Sequence, residues 1–296
     1  MNTSRNGFII TIIAIALAAC SATAFCGDLP EIRAAGVLRH LGVPYANFVT
    51  GSDDGMDVEL IKGFAKYLGV RYEYVKTDWD TVVPDLIGRE ISMVNGHPVL
   101  GKDTPVRGDL IANGFTILSW REELVNFSKP TFPSKIWLVA RADSAVKPIK
   151  PSTSDSKDIA SVRQIMKGKT VLALPKTCLD PSLYKLDETG AAVTLFSGNL
   201  NTLAPAVVNG EAEMTILDVP DALIALEKWP GKIKIIGPIS PPQQMAVGFP
   251  PTSSKLRDAF NEYLAEIKHN RVYAKLVKKY YPTAPYFFPS FFKGLI

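Results

Sequence analysis

Three residues within the run NGFTILSWREELVNFS, residues 113–128, could together hold an anion: Gly114, Thr116 and Arg121. An arginine guanidinium is a planar fork of donors that matches a carboxylate bidentately, and a glycine lets a backbone N–H approach the same anion. Thr116 adds a hydroxyl. In outline the run is a carboxylate receptor on a loop that leads into a helix. A lone arginine in the first turns of a helix reads equally well as a solvated surface charge, so the weight falls on its surroundings.

Other chemistries find little support. The 296 residues are 47% hydrophobic, enough for a sizeable core in one or two domains, and the formal charge is +4. Loss of Arg5 with a leader leaves 32 basic against 29 acidic residues, or +3. No basic block or basic-aromatic stripe suggests a nucleic-acid partner. The three Cys and three His, His40, His97 and His269, lack metal-ligand spacing, so no metal and no cofactor is expected. Phosphate-loop, Ser-His-Asp and paired-carboxylate patterns are missing, and no enzymatic activity is expected.

The first residues read as a targeting segment. Arg5 precedes an apolar stretch over residues 8–19 that is too short for a membrane span, and small residues follow. The protein is therefore expected to be exported. Two processing routes stay open: Leu17-Ala18-Ala19-Cys20 fits a lipoprotein box with Cys20 lipidated, and Ala22-Thr23-Ala24 fits an ordinary cleavage site. A diacylated Cys20 would tether the chain to a membrane surface. Cys26 and Cys178 remain available to pair in an oxidising compartment under either route.

Short apolar runs at 37–41, 71–75, 109–113, 136–140, 170–174, 214–217 and 233–236 read as strands. Helical patterns alternate with them at 57–68, 82–87, 161–166, 201–209 and 221–227. That alternation predicts an α/β fold with mostly parallel sheets. Residues 142–161, rich in Lys, Pro and Ser, read as a solvated loop.

The order of features resembles the extracytoplasmic solute-binding proteins of ABC transporters, in the polar amino-acid family 3 with the type II periplasmic-binding fold. In that family G-x-T-x-T-x-x-R and then F-S-x-P-Y carry the substrate-carboxylate site. Gly114, Thr116, Arg121, Phe127, Ser128 and Pro130 keep step with the pattern, while Leu118, Trp120 and Thr131 depart from it. Gly36-Val37-Leu38, Gly55-Met56-Asp57-Val58-Glu59-Leu60 and Asp78-Trp79-Asp80 with Val83-Pro84-Asp85-Leu86 are similar to further family segments. Residues 255–281 look like its closing helices.

The resemblance implies two lobes, 29–131 with 246–296 and 132–245, joined by a double crossing near 129–132 and 243–247. It implies a ligand held between them by Gly114, Thr116 and Arg121 at its carboxylate, and by Asp218 at its ammonium. Taken alone, Asp218 ahead of Val219-Pro220 reads as a helix cap. Tyr45 and Trp79 fall at the family's aromatic walls, and Thr177 falls at a lobe 2 helix start. Gly42 stands where relatives that bind basic amino acids carry an acid, so an uncharged amino acid or small carboxylate is expected. The implied partners are that ligand and an inner-membrane ABC permease, with the chain itself a monomer.

Two alternatives share the fold: a cyclohexadienyl-dehydratase-like enzyme, with Glu211, Glu213 and His97 as loose acid candidates, and a sensing or regulatory module. Residues 92–107 exceed the family pattern. With Asn95-Gly96 and His97-Pro98 they read as a surface excursion or as a segment that reshapes the cleft mouth. The aromatic tail from Tyr280 is expected to pack back over lobe 1 and the hinge.

Overall fold

The computed structural model describes residues 27–51 and 53–296. The leader, Cys20 and Cys26 lie outside them. Along the chain the strands are β1 (Val37–Gly42), β2 (Arg71–Lys76), β3 (Arg89–Val94), β4 (His97–Asp103), β5 (Leu110–Ile111), β6 (Asn126–Phe127) and β7 (Phe132–Ser134). There follow β8 (Ile136–Arg141), β9 (Thr170–Ala173), β10 (Ala192–Leu195), β11 (Met214–Asp218), β12 (Ile233–Pro238), β13 (Gln243–Met245) and β14 (Gly248–Phe249).

These strands form two five-stranded sheets, ordered β2-β1-β5-β14-β6 and β10-β9-β11-β8-β12. Each has a parallel half and an antiparallel half. β1 runs parallel to β2 and β5, whereas β14 runs antiparallel to β5 and β6. In the second sheet β9 runs parallel to β10 and β11, and β8 runs antiparallel to β11 and β12. The fold class is therefore α/β, with mixed sheets. Between the sheets the outgoing β7 and returning β13 pair antiparallel, Gln243 opposite Ser134 and Met245 opposite Phe132.

Local chemistry sets the elements around this frame. The helix Met56–Leu68 buries Val58, Leu60, Ile61, Phe64, Ala65 and Leu68, one apolar face, and ends at Gly69 with φ 74°. The helix Val219–Lys228 begins at Asp218, whose carboxylate accepts from Asp221 N–H, with Pro220 inside its first turn.

The solvated loop expected at 142–161 is shorter than that. Ser154 caps a helix that already starts at Asp155 and runs to Ile165, with Asp155 and Asp158 in its first turn. Cap chemistry outweighed the Lys/Pro/Ser composition there. Residues 92–107 are largely an ordered hairpin: β3 and β4 pair antiparallel across Asn95-Gly96, both with positive φ, 52° and 82°. Two successive positive φ values are what a two-residue type I′ turn requires.

The tail packs against the crossing. Phe292 is buried and its ring meets Phe132 at 5.7 Å, Tyr281 meets Phe132 at 4.9 Å, and Phe287 meets Trp137 of the second sheet at 5.3 Å.

Candidate functional site

Arg121 sits on the short helix Ser119–Glu122 and is only 2% exposed. It is a buried cation, not a solvated one. Its Nη1 donates to the Thr116 carbonyl at 2.9 Å, and its Nε has no partner. The guanidinium lies over the rings of Phe115, Trp120 and Trp79, at 4.2, 5.3 and 6.0 Å from their centroids. Among the described residues it has no carboxylate partner. Burial lowers its pKa to about 10, so it stays charged at neutral pH. A desolvated charge without a counter-ion is costly, and an anion that entered would be bound strongly.

Other polar groups near the crossing are also left open. Thr116 is buried beside the Cys178 thiol, yet its hydroxyl makes no hydrogen bond of ordinary geometry. Both side-chain polar atoms of Asn113 are buried and unpartnered, as are Ser134 Oγ, Gln243 Oε1 and Asp221 Oδ2. Buried polar atoms are nearly always satisfied in a finished fold, so these groups have capacity left for a water or a polar ligand.

Asp218 ends β11 and is 1% exposed. It is the helix cap of Val219–Lys228. It accepts from Asp221 N–H at 3.2 Å and from the Tyr45 hydroxyl, and the Cys178 thiol lies 3.7 Å from Oδ2. Burial pushes its pKa up to about 6, against the pull of those donors. Tyr45 comes from the loop after β1 in the first sheet, so this hydrogen bond spans the two sheets. Its ring also meets Trp79 edge-on at 5.7 Å.

Gly114 and Thr177 are engaged internally. The Gly114 N–H donates to Asp57 Oδ2 at 2.7 Å, with φ 65°, and a Cβ at this position would come within 2.5 Å of the Phe48 ring. Thr177 is buried; its hydroxyl donates to the Leu174 carbonyl at 2.9 Å and accepts from Leu179 N–H at 3.0 Å. It therefore holds the turn that presents Cys178. The loose acid candidates lie elsewhere. Glu213 bonds Ser144 and Lys169, Glu211 lines a separate surface hollow with Glu213 and Ser144, and the exposed His97 pairs with Glu123 at 3.0 Å.

Residues that the motif reading passed over also belong here. Cys178 is buried and free, and burial raises its thiol pKa far above the ordinary value. The Tyr184 hydroxyl donates to the Cys178 carbonyl and receives Gln243 Nε2 at 3.3 Å. Asp57 stood in the Gly-Met-Asp-Val-Glu-Leu run and was legible as a family segment, but nothing local linked it to Gly114, 57 positions later.

Two mixed sheets joined by a paired crossing, with a buried unpaired cation near the junction, describe a protein of the type II periplasmic-binding class. The chain belongs to the bacterial extracellular solute-binding proteins, family 3, whose model matches residues 106–283. It is 28% identical over 291 residues to the L-cystine-binding protein TcyA of Bacillus subtilis, covering 93% of this chain and 95% of that protein. It is 25% identical over 237 residues to the membrane-bound lytic murein transglycosylase F of Desulfosudis oleivorans. That match covers 79% of this chain and spans less than half, 45%, of the transglycosylase.

The fold is shared with a mutant of the arginine-binding protein of T. maritima, at TM-score 0.67 and 24% identity, covering 86% of this chain and 99% of that one. It is shared equally with an ancestral amino acid-binding protein described as a precursor of cyclohexadienyl dehydratase, at TM-score 0.66 and 22% identity over 86% and 98%.

Proposed function

We propose that the chain is the extracytoplasmic substrate-binding component of an ABC transporter, which closes on an amino acid with an uncharged side chain, or on a small carboxylate. The observation that carries this reading is Arg121, a buried guanidinium with no carboxylate of its own. It takes the ligand carboxylate together with the open Thr116 hydroxyl, while Asp218 takes the ammonium after Tyr45 gives way. Gly114 shapes the wall through Asp57, Tyr45 and Trp79 supply aromatic surface, and Thr177 holds the Cys178 turn.

Residues 29–131 with 246–296 act as one lobe and 132–245 as the other, hinged at β7 and β13. Ligand contacts from both lobes favour the closed state, which an inner-membrane permease then reads. The uncharged preference draws support from the carboxylates nearest the cleft mouth, which are occupied: Asp80 pairs with Lys176 at 3.6 Å and Asp180 accepts from Lys176 N–H at 2.8 Å. The relatives that bind cystine or arginine support an amino acid as the ligand class. On this reading the protein works exported and monomeric, without a cofactor, and Cys20 is its anchor if the lipoprotein route is used.

The test is a thermal-shift screen of refolded, ligand-stripped protein against amino acids, small dicarboxylates and cyclic acids. Stabilisation of about 2.7 kcal/mol is expected at a hundredfold excess over Kd. Recovery of the stabilising amino acid unchanged supports the proposal. A cyclic acid that is consumed would move the protein to the enzyme class, and silence across the panel would remove the transport reading.

A further inference from the structure

The hairpin β3–β4 borders a cavity of its own. Met93 and Leu100 on one of its faces are 48% and 44% exposed, apolar side chains that water does not favour. The register sets Ile91 opposite Leu100 and Met93 opposite Pro98, so Ile91 and Met93 share one face. That face lines a cavity of about 580 Å³ closed on the far side by Thr177 and Leu183 of the second-sheet half. Its inner wall includes Trp79 and Trp120, the same two rings that lie over the Arg121 guanidinium. The cavity thus begins one aromatic layer from the unpaired cation.

Charge at the rim is already neutralised. Lys176 faces Asp80, and Asp180 is occupied by the Lys176 and Ser182 N–H groups. Beside these paired charges and the hydroxyls of Ser92, Thr177 and Ser182, the larger part of the lining is aromatic, aliphatic and thioether surface. A volume near 580 Å³ lies within the roughly 300–1,000 Å³ that encloses drug-sized ligands, more than a short side chain fills.

We propose that the hairpin cavity is a specificity subsite that receives an extended, uncharged, apolar arm of a ligand whose carboxylate is held by Arg121. The inference rests on the binding role proposed above and adds the ligand class: an amphipathic carboxylate with a long apolar tail. The hairpin acts by supplying Ile91 and Met93 to one wall.

Titration calorimetry with linear 2-amino acids, from 2-aminobutanoate to 2-aminodecanoate, tests it on the purified protein. Affinity is expected to rise about threefold to fourfold per added methylene until the cavity is full. Ile91→Asp and Met93→Asp flatten that rise while 2-aminobutanoate binds as before; the milder Ile91→Ser and Met93→Ser flatten it in part and guard against misfolding. Binding that depends on Arg121 but not on chain length overturns the subsite and leaves the binding role standing. A rise unchanged in all four variants also overturns it, because the arm then goes elsewhere. No binding by any member, with wild-type folding intact, overturns the subsite, and the binding role falls with it when the wider thermal-shift panel is silent as well.

Discussion

The Tyr45 hydroxyl, on the loop after β1, donates to the Asp218 carboxylate at the end of β11, so one hydrogen bond ties the first sheet to the second inside a dry interface. Both groups are 1% exposed, and neither reaches water as a substitute partner. Hydrogen bonds to a carboxylate contribute about 1.5–3 kcal/mol. Tyr45→Phe is therefore expected to lower unfolding stability by about that amount in urea denaturation, with the ring contacts to Trp79 and Phe48 retained. An unchanged midpoint would show that the two sheets are not held through this pair.

Arg121→Met should separate binding from stability. Removal of an unpaired buried cation for an apolar chain of similar length is expected to leave the ligand-free protein equally stable, or more stable by about 1–3 kcal/mol. Carboxylate binding should vanish. A large loss of stability would mean that the guanidinium has an internal counter-ion, and the ligand role would fall with it.

Asp57 makes folding sensitive to pH. Burial pushes its pKa up to about 7, despite the Gly114 N–H, from 3.8 in the unfolded chain. Between those values the folded state holds a proton that the unfolded state releases, so stability is highest near pH 4 and falls as pH rises to about 7. Asp218 adds a fall in the same direction up to about pH 6. His40, lowered to about 4 by burial, acts oppositely between pH 4 and 6.5. Asp57→Asn should remove its own share, on the order of 4 kcal/mol across the interval. Parallel stability-pH curves for the variant and wild type would refute the assignment.

Gly114→Ala is expected to cost about 1–3 kcal/mol, because an alanine at φ 65° is strained and its Cβ meets the Phe48 ring at 2.5 Å. Ligand affinity should drop as well, since the Asp57 contact and the Thr116 loop shift together. If thermal denaturation and binding both match wild type, the Phe48 ring has room to move and the wall is softer than the geometry suggests.

The Cys178 thiol should resist alkylation. It is 2% exposed, and burial with Asp218 nearby holds it protonated. Peptide mass spectrometry after iodoacetamide treatment at pH 8 is expected to find Cys178 unmodified in native protein and fully modified in urea. Rapid native labelling would mean that the sheets part readily.

Much of this protein was legible in its residues because the signals are local. Strand and helix periods, the Asp218-Val219-Pro220 helix start and the 113–128 run each depend on neighbours within a few positions. A misreading arose where composition stood in for chemistry: Lys, Pro and Ser over 142–161 hid a Ser154 cap. The turn residues Asn95-Gly96, read as a sign of a surface excursion, close an exposed hairpin.

The residue types themselves determined that a guanidinium, a carboxylate and aromatic rings were available, and that the chain alternates strands and helices. The tertiary structure alone decided which of them are dry and which have partners. Arg121 is unpaired, Asp218 meets Tyr45 across 173 positions, and Gly114 spends its N–H on Asp57. Burial and long-range hydrogen bonding depend on how two sheets pack. No local window of sequence contains that packing.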